Sequence, residues 1–390
     1  MADIRTKIPL ADVERFRDHA LALADEARRQ LRAMQRGGFT IETKSDGSPV
    51  TSADLAVEAK LRGMTLAAFP EHGQIGEEFP AHKPEAEFRW VFDPIDGTED
   101  FINRVPTFGS IIGLFFHGEP VVGVIEIPMF EERVHAGYGL GAFRDSVIAG
   151  NLRLHLADFD PKTPAMTVRV MSSARANFVR RRQDGARFDA VAREYPNLRI
   201  YRSCYMHLCA ATGQTDATID YGNPLWDIAA ARIVVEEAGG AFRVVDSYDL
   251  DGTRLYNTVF GKPALVAKIA KLLRAIKPGK VLPPPPPPKP KRQPKPEAPP
   301  VPVAAPKPVP TERRLLLFKP VARPRPVLPV KPTPSAKPAG KAKRGRRPIL
   351  TLAGPKPRPA AKPAKRAKAK PKASAKAKAK AKAKPKAKRA

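Results

Sequence analysis

Residues 90–103, Trp90-Val91-Phe92-Asp93-Pro94-Ile95-Asp96-Gly97-Thr98-Glu99-Asp100-Phe101-Ile102-Asn103, hold the densest chemistry in the chain. The segment opens apolar and β-prone, then turns acidic. Asp93 and Asp96 stand three apart around Pro94, which fixes φ and lacks a donor. Gly97 lets the backbone approach a neighbour closely, and Thr98 adds a hydroxyl. The pattern predicts a strand that ends in a cleft and delivers two carboxylates to one point. Two such carboxylates repel unless a cation lies between them. Hard oxygen ligands suit Mg²⁺, which takes few protein carboxylates and shares its shell with water and substrate phosphate. The alternative, on these residues alone, is an Asp-Pro turn closing a strand with both acids solvated.

The elements that must position these groups follow from periodicity. Val13, Phe16, Ala20, Leu23, Ala27, Leu31 and Met34 recur at helical spacing and predict an amphipathic helix over 9–36, stopped by Gly37-Gly38. Thr51-Ser52-Ala53-Asp54 reads as a capping box opening a helix to about Phe69. Locally, Asp54 is best read as the N3 carboxylate of that box, ahead of an acid aimed at the cleft. Gly76-Glu77-Glu78 sets paired acids on a Gly-flanked turn. Residues 107–127 predict two strands around His117-Gly118, and 131–138 and 166–172 predict further strands. A helix is expected over 175–194, then strand, helix (Cys204 to Thr212) and strand (Ala217 to Asp220) over 198–220. Pro224 and Gly239 bracket one more helix, with Asp227 in its first turn, where the macrodipole favours an anion. Short strands over 241–260 and a helix over 263–277 complete the pattern. Strands interleaved with helices without βαβ regularity predict a layered α/β fold with antiparallel sheet.

Charge divides the chain of 390 residues. Residues 281–390 hold 33 Lys and Arg against 2 Glu, together with 29 of the 44 prolines. Residues 1–280 hold 36 Lys and Arg against 37 Asp and Glu, so the basic character belongs to the tail. The expected organisation is a catalytic domain over 1–278 and a disordered Pro/Lys/Ala-rich tail over 279–390, opened by a polyproline II spacer at 283–288. Phe318 is the tail's single aromatic residue, so any polyanion binding to DNA, RNA or polyphosphate would lack base stacking. Two cysteines, Cys204 and Cys209, form no disulfide framework or zinc spacing and fit a cytoplasmic setting. No apolar run has the length of a membrane span.

Together, the GEE of 76–78, the DPIDGT of 93–98 and the WD-x-AAA…EEAGG of 226–240 resemble the inositol monophosphatase superfamily. The resemblance covers roughly residues 10–277. It implies an αβαβα sandwich, a Mg²⁺-dependent, lithium-sensitive phosphomonoesterase with two or three ions, and a possible homodimer. By position it implies that Glu77, Asp93, the Ile95 carbonyl, Asp96 and Asp227 bind metal. It assigns Glu77 and Thr98 to the attacking water, and Asp54 to a hydrogen bond with Thr98, against the local reading. The Gly97 and Thr98 amides would cradle phosphate, and Asp96 and Asp220 would meet the substrate. KSDGSPVTSADLAVE (44–58) and SCYMHLCAATG (203–213) are similar to the histidinol-phosphate phosphatase branch. That branch shows Gly-Asp before the Cys-Tyr pair, where this chain has Arg202-Ser203. The substrate expectation is histidinol phosphate, followed by inositol 1-phosphate or another small polyol phosphate. His207 reads as a packed or hydrogen-bonded residue, ahead of a ligand.

This chemistry is coherent from below. A phosphate monoester dianion repels an incoming anion, so attack by water needs cations that cancel charge and lower the water's pKa. A reading of another class makes the chain a nucleic-acid-associated protein that uses its basic tail and keeps the domain as a passive scaffold. The full acidic set argues against it, because an idle scaffold has no use for five converged, mutually repelling oxygen ligands.

Overall fold

The computed structural model describes residues 3–44, 47–180 and 182–279. The chain divides into two units, Met1–Ala298 and Pro299–Ala390, and every described residue belongs to the first. The tail expected over 279–390 lies, from residue 280 on, outside the described residues.

Two helices form the first layer. α1 (Leu10–Gly37) buries Val13, Phe16, Ala20, Leu23, Ala27 and Leu31, the stripe its periodicity predicts. Each large apolar side chain so buried stabilises the fold by about 1.5–3 kcal/mol. The hairpin of β1 (Ile41–Thr43) and β2 (Pro49–Thr51) leads into α2 (Ser52–Ala68). α2 opens on the predicted box: Thr51 and Asp54 cap each other's backbone reciprocally.

These helices cover one face of a seven-stranded sheet whose order follows the sequence. Its strands are β3 (Gly73–Gly76), β4 (Phe88–Asp96), β5 (Gly109–Phe116), β6 (Glu119–Ile127), β7 (Glu132–Gly137), β8 (Gly141–Ser146) and β9 (Gly150–Arg153). β3 runs parallel to β4, and every other pair is antiparallel. A short helix, α3 (Thr98–Ile102), follows β4 directly.

The helix expected over 175–194 is two pieces, α4 (Arg175–Arg180) and α5 (Gly185–Glu194). They stand between β10 (Val170–Ser172) and β11 (Arg199–Ile200) in the chain. α6 (Tyr205–Ala211) and β12 (Ala217–Asn223) fall where expected. The single helix expected after Pro224 is also divided, into α7 (Leu225–Ile228) and α8 (Ala231–Glu237). At the break, Ala229 and Ala230 press on Gly113 and Gly123, where a Cβ would come within 2.9 Å of Ala229 and of the Ala230 Cα respectively. The chain closes with a long hairpin, β13 (Ala241–Leu250) and β14 (Thr253–Gly261), and α9 (Pro263–Ala275).

The second sheet has five strands in the order β11-β10-β12-β14-β13 and is mixed. α6, α7 and α8 fill the space between the sheets, and α4, α5 and α9 cover the far face of the second. Three apolar clusters separate the layers: Phe16, Leu23 and Trp90 in the first, Ile125, Ala230 and Phe260 in the second, Phe178, Leu265 and Ile269 in the third. The expected αβαβα sandwich is the observed one.

Candidate active site

β4 carries the acids, and its geometry explains a spacing that a regular strand forbids. Side chains three apart on a strand point to opposite faces. Between Asp93 and Asp96 the pairing with β5 shifts: Asp93 stands opposite Ile111 and Asp96 opposite Gly109. β4 therefore takes one residue more than its partner, a bulge that restores both carboxylates to one side. The Ser110 hydroxyl donates to the Pro94 carbonyl at 2.7 Å, fixing the extra residue's backbone. Gly97 then turns the chain with φ of 87°, a left-handed conformation costly to a residue with a Cβ.

Other elements bring further acids to this point. Glu77 and Glu78 follow β3, Asp54 lies in the first turn of α2, and Asp227 in the first turn of α7. Their convergence is written in the protonation of Asp93, which is fully buried. Burial first, then the nearby charges of Glu77, Asp96, Asp227 and Asp54, hold its carboxyl well above the usual range. Burial likewise raises Asp96 and Asp54 to about 6 each, and Glu78 to about 7. Asp96, Asp220 and Asp227 line one cleft with Ser173, Asn177, Asn223, Arg202, Ser203, Met206 and His207.

The partners of these acids differ in part from expectation. Asp54 does not bond Thr98. Its Oδ2 accepts the Thr51 amide and the Thr51 hydroxyl, each at 2.7 Å, so the local capping-box reading describes its contacts. Thr98 instead donates its hydroxyl to the Ile95 carbonyl at 3.1 Å. The Lys44 ammonium lies 2.7 Å from Glu77 and 2.8 Å from Glu78. Asp96 accepts the Cys204 amide. Held this way, no group of three or more His, Cys, Asp or Glu stands at ligating geometry among the described residues.

The donor set nevertheless fits a hard divalent cation. Asp93 Oδ1 is buried with no hydrogen-bond partner among the described residues, a costly state that a cation would relieve. Oxygen ligands dominate; the nearby Cys204 thiol is pushed up by burial and by the charges of Asp96 and Asp93, away from the thiolate that would ligate.

Sequence reasoning missed several residues. Lys44 shows in the sequence only as one basic residue before a turn. Glu58 secures the Glu77–Glu78 turn: its Oε2 accepts the Glu78 amide at 2.8 Å, and Arg62 holds its other oxygen at 2.7 Å. Gly76 must be glycine, because a Cβ there would collide with the Glu58 carboxylate. His207, expected to be packed or hydrogen-bonded, lies 2.8 Å from Asp220, a partner the sequence does not name. Arg202 pairs with Glu99 at 2.6 Å across the site's edge.

Comparison with known proteins agrees with this architecture. The model of the inositol monophosphatase family matches residues 12–276. The histidinol-phosphatase of Mycobacterium tuberculosis is 35% identical over 230 residues, which cover 58% of this chain and 86% of that protein. A fructose-1,6-bisphosphatase/inositol-1-monophosphatase of Aquifex aeolicus is 30% identical over 210 residues, 53% of this chain and 75% of that one. The solved inositol monophosphatase of Anabaena superposes with a TM-score of 0.56 at 25% identity, covering 68% of this chain and 98% of its own. Fold and relatives define a phosphoric monoester hydrolase. The chain belongs to the inositol monophosphatase family. Members of this family act on small phosphomonoesters and are generally Mg²⁺-dependent. Among the described residues no helix is long and apolar enough to cross a membrane.

Proposed function

We propose that the protein hydrolyses the phosphomonoester of a small alcohol, with histidinol phosphate the first substrate to test and inositol 1-phosphate the second. The observation that carries the metal-assisted reading is Asp93 Oδ1, buried without a hydrogen-bond partner among the described residues and beside the charges of Glu77, Asp96, Asp227 and Asp54. Glu77, Asp93, the Ile95 carbonyl, Asp96 and Asp227 would hold two or three Mg²⁺ ions. When bound, Mg²⁺ cancels charge on the phosphate and lowers the pKa of the attacking water. Glu77 and Thr98 would orient that water. The Gly97 and Thr98 amides would receive the phosphate oxygens, and Asp96 and Asp220 the alcohol portion. Asp54 acts through Thr51 and the electrostatics of the cluster. No side-chain nucleophile is needed, so transfer passes directly to water.

The relative of M. tuberculosis supports histidinol phosphate by name, whereas Arg202-Ser203 removes an acidic contact from the cleft edge. Buried, unbridged Cys204 and Cys209 support a reducing, cytoplasmic setting. The tail's charge supports non-specific polyanion binding at low salt. Phosphate release from both substrates, with and without Mg²⁺, tests the reading. Inertness on both and on a wider monoester panel, combined with tight DNA binding at physiological salt, would favour the passive-scaffold alternative.

A further inference from the structure

One buried pair on the cleft wall stands outside the acidic cluster. His207, on α6, sets Nε2 2.8 Å from Asp220 Oδ2, on β12. The imidazole is 2% exposed and the carboxylate 6%. The other carboxylate oxygen accepts the Tyr221 amide at 3.1 Å. The imidazole meets the Phe260 ring edge-on, with centroids 5.1 Å apart. Nδ1 is buried with no hydrogen-bond partner among the described residues. Both side chains border the cleft shared by Asp96 and Asp227.

We infer that His207 is a positioning residue for substrate selection: it clamps Asp220 so that the carboxylate receives a hydroxyl or amine on the alcohol portion of the substrate. The inference rests on the phosphomonoesterase reading above. Its logic is geometric. The terminal torsion of an aspartate is broad and nearly two-fold, so an isolated carboxylate samples many planes. Here one donor sits on each oxygen, the Tyr221 amide on Oδ1 and the imidazole on Oδ2. Two donors fix the plane and occupy one acceptor site on each oxygen. An ionised carboxylate offers about four such sites and no donor. What remains accepts hydrogen bonds only, so the matching group must donate. A second carboxylate or phosphate on the ligand is disfavoured there, and a hydroxyl or ammonium is favoured.

The arrangement also orients the ring. Nε2 faces an acceptor, so it carries a proton, and Nδ1 meets no partner among the described residues. Asp96 feels the charges of both His207 and Asp220. The pair therefore lies where the alcohol-binding wall joins the acidic cluster. A purely structural pair would tie α6 to β12 without affecting which ester is preferred.

The experiment compares two substrates with the full chain and Mg²⁺. Histidinol phosphate bears donors on its alcohol portion, and p-nitrophenyl phosphate bears none. His207→Phe keeps an aromatic ring against Phe260 and removes both nitrogens. It is expected to raise KM for histidinol phosphate about tenfold or more, the scale of one hydrogen bond to a charged group. Its kcat for that ester, and both parameters for p-nitrophenyl phosphate, should stay within about threefold of the parent. His207→Gln, which restores a donor, should recover most of the KM. Asp220→Asn should reproduce the selective KM rise, and the double variant should be no worse than Asp220→Asn alone. If His207→Phe does not fold, the Gln and Asn variants decide the question. Equal losses on both esters, no loss on either, or additive losses in the double variant would overturn the assignment. So would a ¹⁵N spectrum with Nε2 unprotonated. A parent enzyme inert on p-nitrophenyl phosphate, histidinol phosphate, inositol 1-phosphate and the wider monoester panel would instead remove the phosphomonoesterase reading, and this assignment with it.

Discussion

The Lys44 ammonium lies 2.7 Å from Glu77 Oε1, on a carboxylate proposed to hold metal. Burial works against this ammonium, yet the charges of Glu77 and Glu78 outweigh it and raise its pKa. Lysine and a divalent ion are thus rival counter-charges for one acid. Lys44→Ala is expected to lower the Mg²⁺ concentration needed for half-maximal activity by several-fold. In metal-free protein the same change should lower Tm, because Glu77 and Glu78 lose their partner. Mg²⁺ titrations of activity and of Tm check the two halves separately. An unchanged Mg²⁺ requirement would mean that Lys44 and the ion do not share Glu77.

Asp93→Asn separates catalysis from folding. Loss of this carboxylate should cost at least about 10²–10³ in turnover, the scale of other electrostatic stabilisers. The metal-free variant should be no less stable than the parent, since burial and four neighbouring acids already disfavour the charged form. Mg²⁺ should then fail to raise its Tm. Near-normal turnover would defeat the site assignment.

The raised acids predict how stability depends on pH. Burial lifts Asp54 and Asp96 from 3.8 to about 6, and Glu78 from 4.5 to about 7. The folded state then keeps protons that the unfolded chain releases between about pH 4 and 7. Stability from these groups is fully present below their unfolded pKa values and is lost as pH rises through the folded ones. Glu26, held down to about 2 chiefly by Arg29, has the opposite sign. Its contribution is present above 4.5 and is lost as pH falls through about 2. Metal-free protein should therefore show a falling Tm from pH 4.5 to 7.5. Saturating Mg²⁺ should flatten that fall by stabilising the ionised cluster. Calorimetry across this range, with EDTA and with Mg²⁺, reads both slopes. A Tm that rises with pH in EDTA would contradict the cluster's electrostatics.

Gly97→Ala tests the turn that follows β4. A Cβ there meets Ser203 Cβ at 2.9 Å, and the left-handed backbone adds strain. The expected loss is about 1–2 kcal/mol of stability from the backbone alone. Turnover should fall further than stability does, because the same peptide would receive the phosphate. Denaturant unfolding and initial rates on one preparation distinguish the two effects.

Much of this was legible from sequence, for identifiable reasons. α1 and α9 write their burial as a stripe, and Thr51 and Asp54 write a helix start. The acid motif around Asp93 is contiguous and needs no tertiary knowledge. β8 and β9 went unpredicted because GAFRDS and GNLR show no clean alternation: β9 is exposed along its whole length at the sheet's edge. The split of α7 from α8 was equally invisible. Pro224 and Gly239 mark ends, whereas the break answers Gly113 and Gly123, which lie on strands far away in sequence. Asp54 shows the opposite lesson. The local box described its contacts better than the family resemblance did, since a capping carboxylate has its donors within reach before the fold closes. The partner of His207 gave no signal because Asp220 arrives on another element.

The bulge in β4 stores the site's shape in chain length rather than in side-chain identity. Substitutions at Pro94 or Ile95 leave the extra residue in place, and Asp93 and Asp96 still face the same way. Deleting either position would heal the ladder with β5 and leave Asp93 and Asp96 two apart, still on one face, but would remove one peptide of the bulge that Ser110 holds through the Pro94 carbonyl. This segment should therefore tolerate exchange, while shortening it would take away the bulge's extra carbonyl and spare the common direction of its two acids.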